Sequence, residues 1–425
     1  MRPGWAARAA LPEFPWDQLA PYATTATSHP GGIVDLSIGT PVDPTPAVVR
    51  AALAAAADAP GYPLTIGTPA LRAALVDWVG WRLGAEVTAQ QVVPSIGSKE
   101  LVALLPSLLG LPPGSRVLIP RLAYPTYDVG VRLAGCLPEP VADVTAVDPA
   151  GVSLIWLNSP SNPTGAVTPA GELARIVGWA RSHDILVASD ECYLELGWDV
   201  EPISVLHPSV SGGDVTGLLA LHSLSKRSNL AGYRAGFAAG DAAAVAAIIE
   251  ARKHIGLLVP APVQAALVAA LGDEEHVVAQ RALYAARRLS LRAAVEGAGF
   301  SIDHSEGGLY LWATRGEDCW DTVSALAGLG ILVAPGAFYG ADGGRHVRFA
   351  LTATDERIGA AVERLAAACR PARRPPSGNP QHQGAGDFTM LGGGDGGGGA
   401  AETAAAEARL RGCGSAAGRE APPPA

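Results

Sequence analysis

The sequence predicts an α/β protein in which a mainly parallel sheet is covered on both faces and a smaller second domain follows. Three observations predict it. Short apolar runs alternate with longer segments of helical period, polar residues gather just past the ends of those runs, and apolar spacing becomes more helical after Pro262.

Taken in order, SRVLIP (Ser115 to Pro120), VSLIWLN (Val152 to Asn158), DILVASD (Asp184 to Asp190) and GLLALHS (Gly217 to Ser223) read as buried strands. Between two of them, ELARIVGWARSH (Glu172 to His183) places Leu173, Ile176, Val177 and Ala180 on one helical face, as a crossover helix requires. Strand, helix, strand, helix implies the parallel sheet. GLYLWA (Gly308 to Ala313) and HVRFAL (His346 to Leu351) read as two strands of a smaller sheet that the N-terminal segment completes. The expected organisation is an N-terminal segment over 1–44 joining the small domain, a large domain over 45–260, a small C-terminal domain over 261–370, and a disordered Gly/Ala/Pro-rich tail over 371–425.

Composition excludes several classes. With 425 residues, 48% hydrophobic and 17% charged, the chain can bury a large core. A net charge of −9 and the lack of a long Lys/Arg run argue against nucleic acid as a partner. No apolar run is long enough for a membrane span, and acidic residues and prolines interrupt the N-terminus where a signal peptide would need an apolar stretch. Five dispersed cysteines, Cys136, Cys192, Cys319, Cys369 and Cys413, lack metal-ligand spacing and read as reduced thiols, so no metal is expected and a cytoplasmic location is.

Chemistry concentrates past the strand ends, where open α/β sheets bind ligands. SNPTG (Ser161 to Gly165) follows one strand; on local physics alone it is as well explained as a connection in which Asn162 bonds its own backbone. In SDECYLE, Asp190 leaves an apolar strand and needs a cation or several donors to stay ionised. HSLSKRSNLAGYRAGF brings Ser223, Ser225, Lys226 and Arg234 together without a carboxylate. Hydroxyls and a guanidinium suit a phosphate, and the lysine is left for covalent work. An imine-forming lysine, a carboxylate that keeps a pyridine nitrogen protonated and a phosphate cradle are the requirements of pyridoxal 5'-phosphate chemistry.

SNPTG, SDECY, SLSKRSNLAGYRAGF and VRFAL, in that order across residues 30–370, resemble the class I/II aminotransferases of the fold type I pyridoxal-phosphate enzymes. The resemblance implies a large domain with a mainly parallel, seven-stranded type of sheet and a smaller α+β domain. Lys226 resembles the Schiff-base lysine that also moves the Cα proton, and Asp190 the partner of the pyridinium. Asn162 and Tyr193 resemble the residues bonded to the cofactor's phenolic oxygen. Ser223, Ser225 and Arg234 resemble the phosphate ligands, with Gly97, Ser98 and Lys99 in the loop that opens a helix there. Tyr124 resembles the residue stacked on the ring. Arg348 resembles the arginine that grips the substrate α-carboxylate, with Gly39 and Asn162 beside it. Tyr62 resembles the tyrosine that reaches the neighbouring subunit's phosphate, which implies a homodimer with shared sites.

Within the family, LSIGTPVDPTP, LAYPTYDVG, LNSPSNPTG and HSLSKRSNLAGYRAG resemble succinyldiaminopimelate aminotransferases of the actinobacterial type. The resemblance implies exchange between N-succinyl-L,L-2,6-diaminopimelate plus 2-oxoglutarate and N-succinyl-2-amino-6-oxopimelate plus glutamate, in lysine and diaminopimelate biosynthesis. Another class I/II aminotransferase or a pyridoxal-phosphate lyase uses the same scaffold. A non-catalytic cofactor-binding regulator would need a DNA-binding module ahead of the fold. Ser223-Leu224-Ser225-Lys226 is formally S-x-x-K, yet S-D-N and K-T-G elements are missing from the sequence. His222 is left without a role.

Overall fold

Seven strands of one large sheet and several shorter ones are laid out along the chain in a computed structural model that describes residues 11–369. The tail expected over 371–425 and Cys413 lie outside the described residues. Chain order starts with β1 (Val34–Asp35) and continues through β2 (Val92–Ile96), β3 (Arg116–Pro120), β4 (Leu137–Val141), β5 (Val152–Asn158), β6 (Leu186–Asp190), β7 (Leu218–Ser223) and β8 (Ala235–Gly240). It ends with β9 (Ser301–Ile302), β10 (Tyr310–Thr314), β11 (Ile331–Leu332), β12 (Ala334–Pro335) and β13 (Val347–Ala350).

The large sheet runs β2-β8-β7-β6-β5-β3-β4. All its neighbours pair in parallel except around β8, which runs against both β2 and β7. The expected fold class is met. Alternate residues of β5 feed opposite layers: Ile155 and Leu157 enter one apolar core, Leu154 and Trp156 the other. The helix Ala170–Ser182 buries Leu173, Ile176, Val177 and Ala180, the face that its periodicity predicts. Each such aliphatic side chain contributes roughly 1.5–3 kcal/mol when fully buried.

Three strands have no apolar signature. β2 contains Pro94 and β4 reads LPEPV, and both lie at sheet edges, where a missing N–H is tolerated. β8 reads AGFAAG because its neighbours leave no room: a Cβ at Gly236 would lie 2.9 Å from the His222 carbonyl oxygen, and one at Gly240 2.1 Å from that of Leu218.

A four-stranded antiparallel sheet, β12-β13-β10-β9, and the parallel pair β1 and β11 form a second layer. Leu19, Ala26, Val34 and Leu36 share its core with Tyr310, Trp312, Phe349 and Leu365, so early and late chain are packed together. Arg287 reinforces that closure: Nη1 and Nη2 donate to Asp43 at 2.7 and 2.6 Å, and Nε donates to Asp355 at 2.6 Å. Among the described residues no helix is long and apolar enough to cross a membrane.

β5, β6 and β7 are adjacent and parallel, with Asn158 opposite Asp190 in the register. Their C-terminal ends therefore put the SNPTG, SDECY and SLSK segments side by side at one sheet edge.

Candidate active site

The three strand ends open into a cleft of about 680 Å³. Gly39, Ser98, Lys99, Tyr124, Asn162, Asp190, Tyr193, Ser223, Ser225, Lys226, Arg234 and Arg348 all line it. Gly97 lies directly beneath Arg234: at φ +69° it starts a twelve-residue helix, and a Cβ there would sit 2.2 Å from Arg234 Nη2. Tyr62 lies outside this cleft and is 98% exposed.

Asp190, at the end of β6, is only 4% exposed. Tyr127 Oη donates to its Oδ2 at 2.9 Å, and the Cys192 amide donates to its Oδ1 at 3.3 Å. Burial pushes this carboxyl above its ordinary range, against those donors and the nearby Lys226 charge. A further cation against Asp190 would restore its ionised form.

Lys226 stands on the short turn after β7 and its Nζ donates to the Gly39 carbonyl at 2.5 Å. Ser223 Oγ accepts from the Ser225 amide at 3.2 Å, and both serines are buried. Arg234 Nη1 donates to the Ala231 carbonyl at 2.8 Å and forms no ion pair among the described residues. Arg234, the two hydroxyls and the first amides of the helix at Gly97 thus gather donors for an anion, while Glu100 in the first turn of that helix is ion-paired with Arg252. Burial, and after it the Arg234 charge, hold Lys99 below its usual range. Its Nζ lies 5.7 Å from the Phe14 ring centre and 5.9 Å from that of Tyr124.

Opposite, Arg348 is 2% exposed. Nη1 donates to Asn162 Oδ1 and Nη2 to the Ser37 carbonyl, each at 2.7 Å, while the buried Nε has no partner among the described residues. A buried guanidinium with unspent donors and no carboxylate suits a small organic acid. Tyr193 Oη is hydrogen-bonded to Tyr310 Oη at 2.9 Å. Burial keeps the Tyr127 and Tyr193 hydroxyls well above their usual range, so both are protonated donors at neutral pH.

An amine, a buried carboxylate and an anion cradle fit pyridoxal phosphate, with the arginine left for a carboxylate. Tyr127, Tyr310, Phe14 and Trp16 also line the cleft, and sequence reasoning missed them. Tyr127 and Tyr310 sit in quoted segments, AYPTY and GLYLWA, but an aromatic there reads equally as core. Phe14 and Trp16 arrive from far along the chain and carry no local signal.

The family model described as aminotransferase class I and II matches residues 32–365. The chain is 59% identical over 355 residues to the 4-dedimethylamino-4-oxo-anhydrotetracycline transaminase OxyQ of Streptomyces rimosus, covering 84% of this chain and 99% of that one. It is 58% identical over 358 residues to the probable aminotransferase Rv1178 of Mycobacterium tuberculosis, covering 84% and 86%. Among solved structures, a probable N-succinyldiaminopimelate aminotransferase from Thermus thermophilus superposes with a TM-score of 0.76 at 30% identity, covering 83% of this chain and all of that one.

Proposed function

The chain belongs to the class I and II aminotransferases, and we propose that it moves an amino group between glutamate and a large acidic oxo acid, with N-succinyl-2-amino-6-oxopimelate as the acceptor. The family depends on pyridoxal phosphate, which when bound supplies an electron-withdrawing ring next to the substrate Cα. The other roles belong to the protein's own groups.

Lys226 holds the cofactor and then removes and returns the Cα proton through Nζ. Asp190, fixed by Tyr127, keeps a proton on the ring nitrogen. Ser223, Ser225, Arg234 and the Gly97 and Ser98 amides take the phosphate. Tyr193 and Asn162 bond the phenolic oxygen, and Tyr124 covers the ring. Arg348 grips the α-carboxylate, beside Gly39. Lys99, on the cleft wall without an acidic partner among the described residues, suits the remote carboxylate of glutamate or of the succinyl group better than it suits the ring. Tyr62 points out of its own cleft and reaches a second copy's phosphate in a homodimer. The division at 44, 260 and 370 and a cytoplasmic location belong to the same reading.

The observation that carries the reading is the buried Arg348, without an ion pair among the described residues, lining the same cleft as Lys226. A second reading is favoured by the aromatic wall of Phe14, Trp16 and Tyr124, together with the likeness to OxyQ: the acceptor is a flat polycyclic ketone. The test is to charge the holoenzyme with excess glutamate, remove the small molecules, and add each acceptor while recording cofactor absorbance. Recovery of the starting spectrum with the oxopimelate supports the first reading. Recovery with a polycyclic ketone alone replaces it by the second, and recovery only with 2-oxoglutarate discards both.

A further inference from the structure

Tyr310, on β10, reaches three parts of the site at once. Its ring centre lies 3.8 Å from Arg348 Cζ, so guanidinium and ring are in face contact. The antiparallel register explains the contact: Arg348 pairs with Trp312, which places Tyr310 diagonally next to it on the same face of the sheet. Its hydroxyl is 2.9 Å from Tyr193 Oη. That hydroxyl also occupies the space a side chain at Gly39 would need, since a Cβ there would lie 2.2 Å from Tyr310 Oη. The Gly39 carbonyl in turn accepts from Lys226.

We propose that Tyr310 is a positioning residue that couples the carboxylate-binding arginine to Tyr193, an inference that rests on the assignments of Arg348 and Tyr193 above. The ring and the hydroxyl of Tyr310 act on different partners. A guanidinium stacked on an aromatic face is held in its plane without using an N–H, so the contact with Tyr310 spends none of the donors that Arg348 has left for a carboxylate. Tyr193 has one proton to give. When Tyr310 donates to Tyr193, the Tyr193 proton is directed to the phenolic oxygen, and the hydrogen-bonded chain strengthens that donation. Carboxylate binding on Arg348 and proton donation by Tyr193 are thereby registered by one side chain.

The two halves separate in two variants. Tyr310→Phe keeps the ring and loses the hydroxyl; Tyr310→Leu loses both. Two readouts are independent of turnover: glutarate affinity, measured by spectral titration of the holoenzyme, and the pH midpoint of its cofactor absorbance. Weakening a donor to a phenolate raises that midpoint, by about half to one pH unit for one neutral hydrogen bond. Tyr310→Phe is expected to raise the midpoint by that amount and lower kcat several-fold, with glutarate affinity within about twofold of wild type. Tyr310→Leu is expected to show the same midpoint shift and to bind glutarate roughly tenfold more weakly, as loss of a desolvated cation–π contact implies. An unmoved midpoint in Tyr310→Phe overturns the inference, and so does a Tyr310→Leu enzyme that binds glutarate as wild type does. Arg348→Ala run alongside separates the two levels: if it too leaves glutarate affinity unchanged, the carboxylate assignment itself has failed.

Discussion

Tyr127 and Asp190 are joined inside the protein by a 2.9 Å hydrogen bond in which the tyrosine hydroxyl donates to the carboxylate. Tyr127 is itself stacked on Trp156, with ring centres 5.0 Å apart, so the donor cannot easily turn away. Asp190→Asn removes the one carboxylate among the described residues that lines the cleft and so can hold a proton on the ring nitrogen. Turnover should fall by about 10²–10⁴-fold, the range expected for loss of a positioned proton-transfer group, while Tyr127→Phe should cost much less because the charge remains. Steady-state kinetics of the two variants decide this, and equal losses would argue against it.

Arg348→Ala should reduce kcat/KM for glutamate by an amount equivalent to about 2–5 kcal/mol, the usual cost of truncating one partner of a buried charge pair. Arg348→Lys should recover only part, because an ammonium cannot present a planar fork to a carboxylate. An amine substrate without a carboxylate should be almost indifferent to either change, and sensitivity there would count against the assignment.

Glu191 and His222 face each other behind the cleft, with Oε2 and Nε2 3.5 Å apart. Burial pushes Glu191 up to about 7 from 4.5 and His222 down to about 3 from 6.5. The signs oppose. The raised Glu191 contributes stability below pH 4.5 that is lost as pH rises towards 7, and the lowered His222 contributes stability above pH 6.5 that is lost as pH falls towards 3. Between pH 4.5 and 6.5 the two slopes cancel. Glu191→Gln removes one of them, so its stability relative to wild type should rise with pH by roughly 1.4 kcal/mol per unit in that window. Urea unfolding at pH 5 and pH 6 measures the tilt; a difference that does not change with pH would mean Glu191 is already ionised in the folded protein.

Arg287→Ala leaves Asp43 without its bidentate partner and cuts the tie to Asp355. The expected loss is about 1–3 kcal/mol, because Asp43 is partly exposed and keeps the Gln280 amide as a donor. Thermal unfolding of the variant checks it, and a melting temperature equal to wild type would show that the tie is idle.

Much of the large sheet was legible because β3, β5, β6 and β7 are buried on both faces and so read as unbroken apolar runs. β2, β4 and β8 were not, since edge position and close backbone approach, rather than hydrophobicity, select their prolines and glycines. Lys226, Asp190 and Arg234 stood out because a charged group at the end of an apolar strand demands an explanation. Tyr127 and Tyr310 did not, because nothing in a sequence separates a tyrosine whose hydroxyl meets another functional group from one that fills a core. Gly39 could be singled out only by resemblance, and its physical reason, the Tyr310 hydroxyl, lies 271 positions away in the chain and is visible only in three dimensions.

Every role proposed for the cleft depends on Lys226 being the residue that holds the cofactor. Borohydride reduction of the holoenzyme followed by peptide mass mapping tests it most directly. A reduced pyridoxyl-phosphate adduct is expected on the peptide containing Lys226 and is expected to be absent from Lys226→Ala. An adduct on Lys99 or another lysine, or an undiminished adduct in the variant, would contradict it.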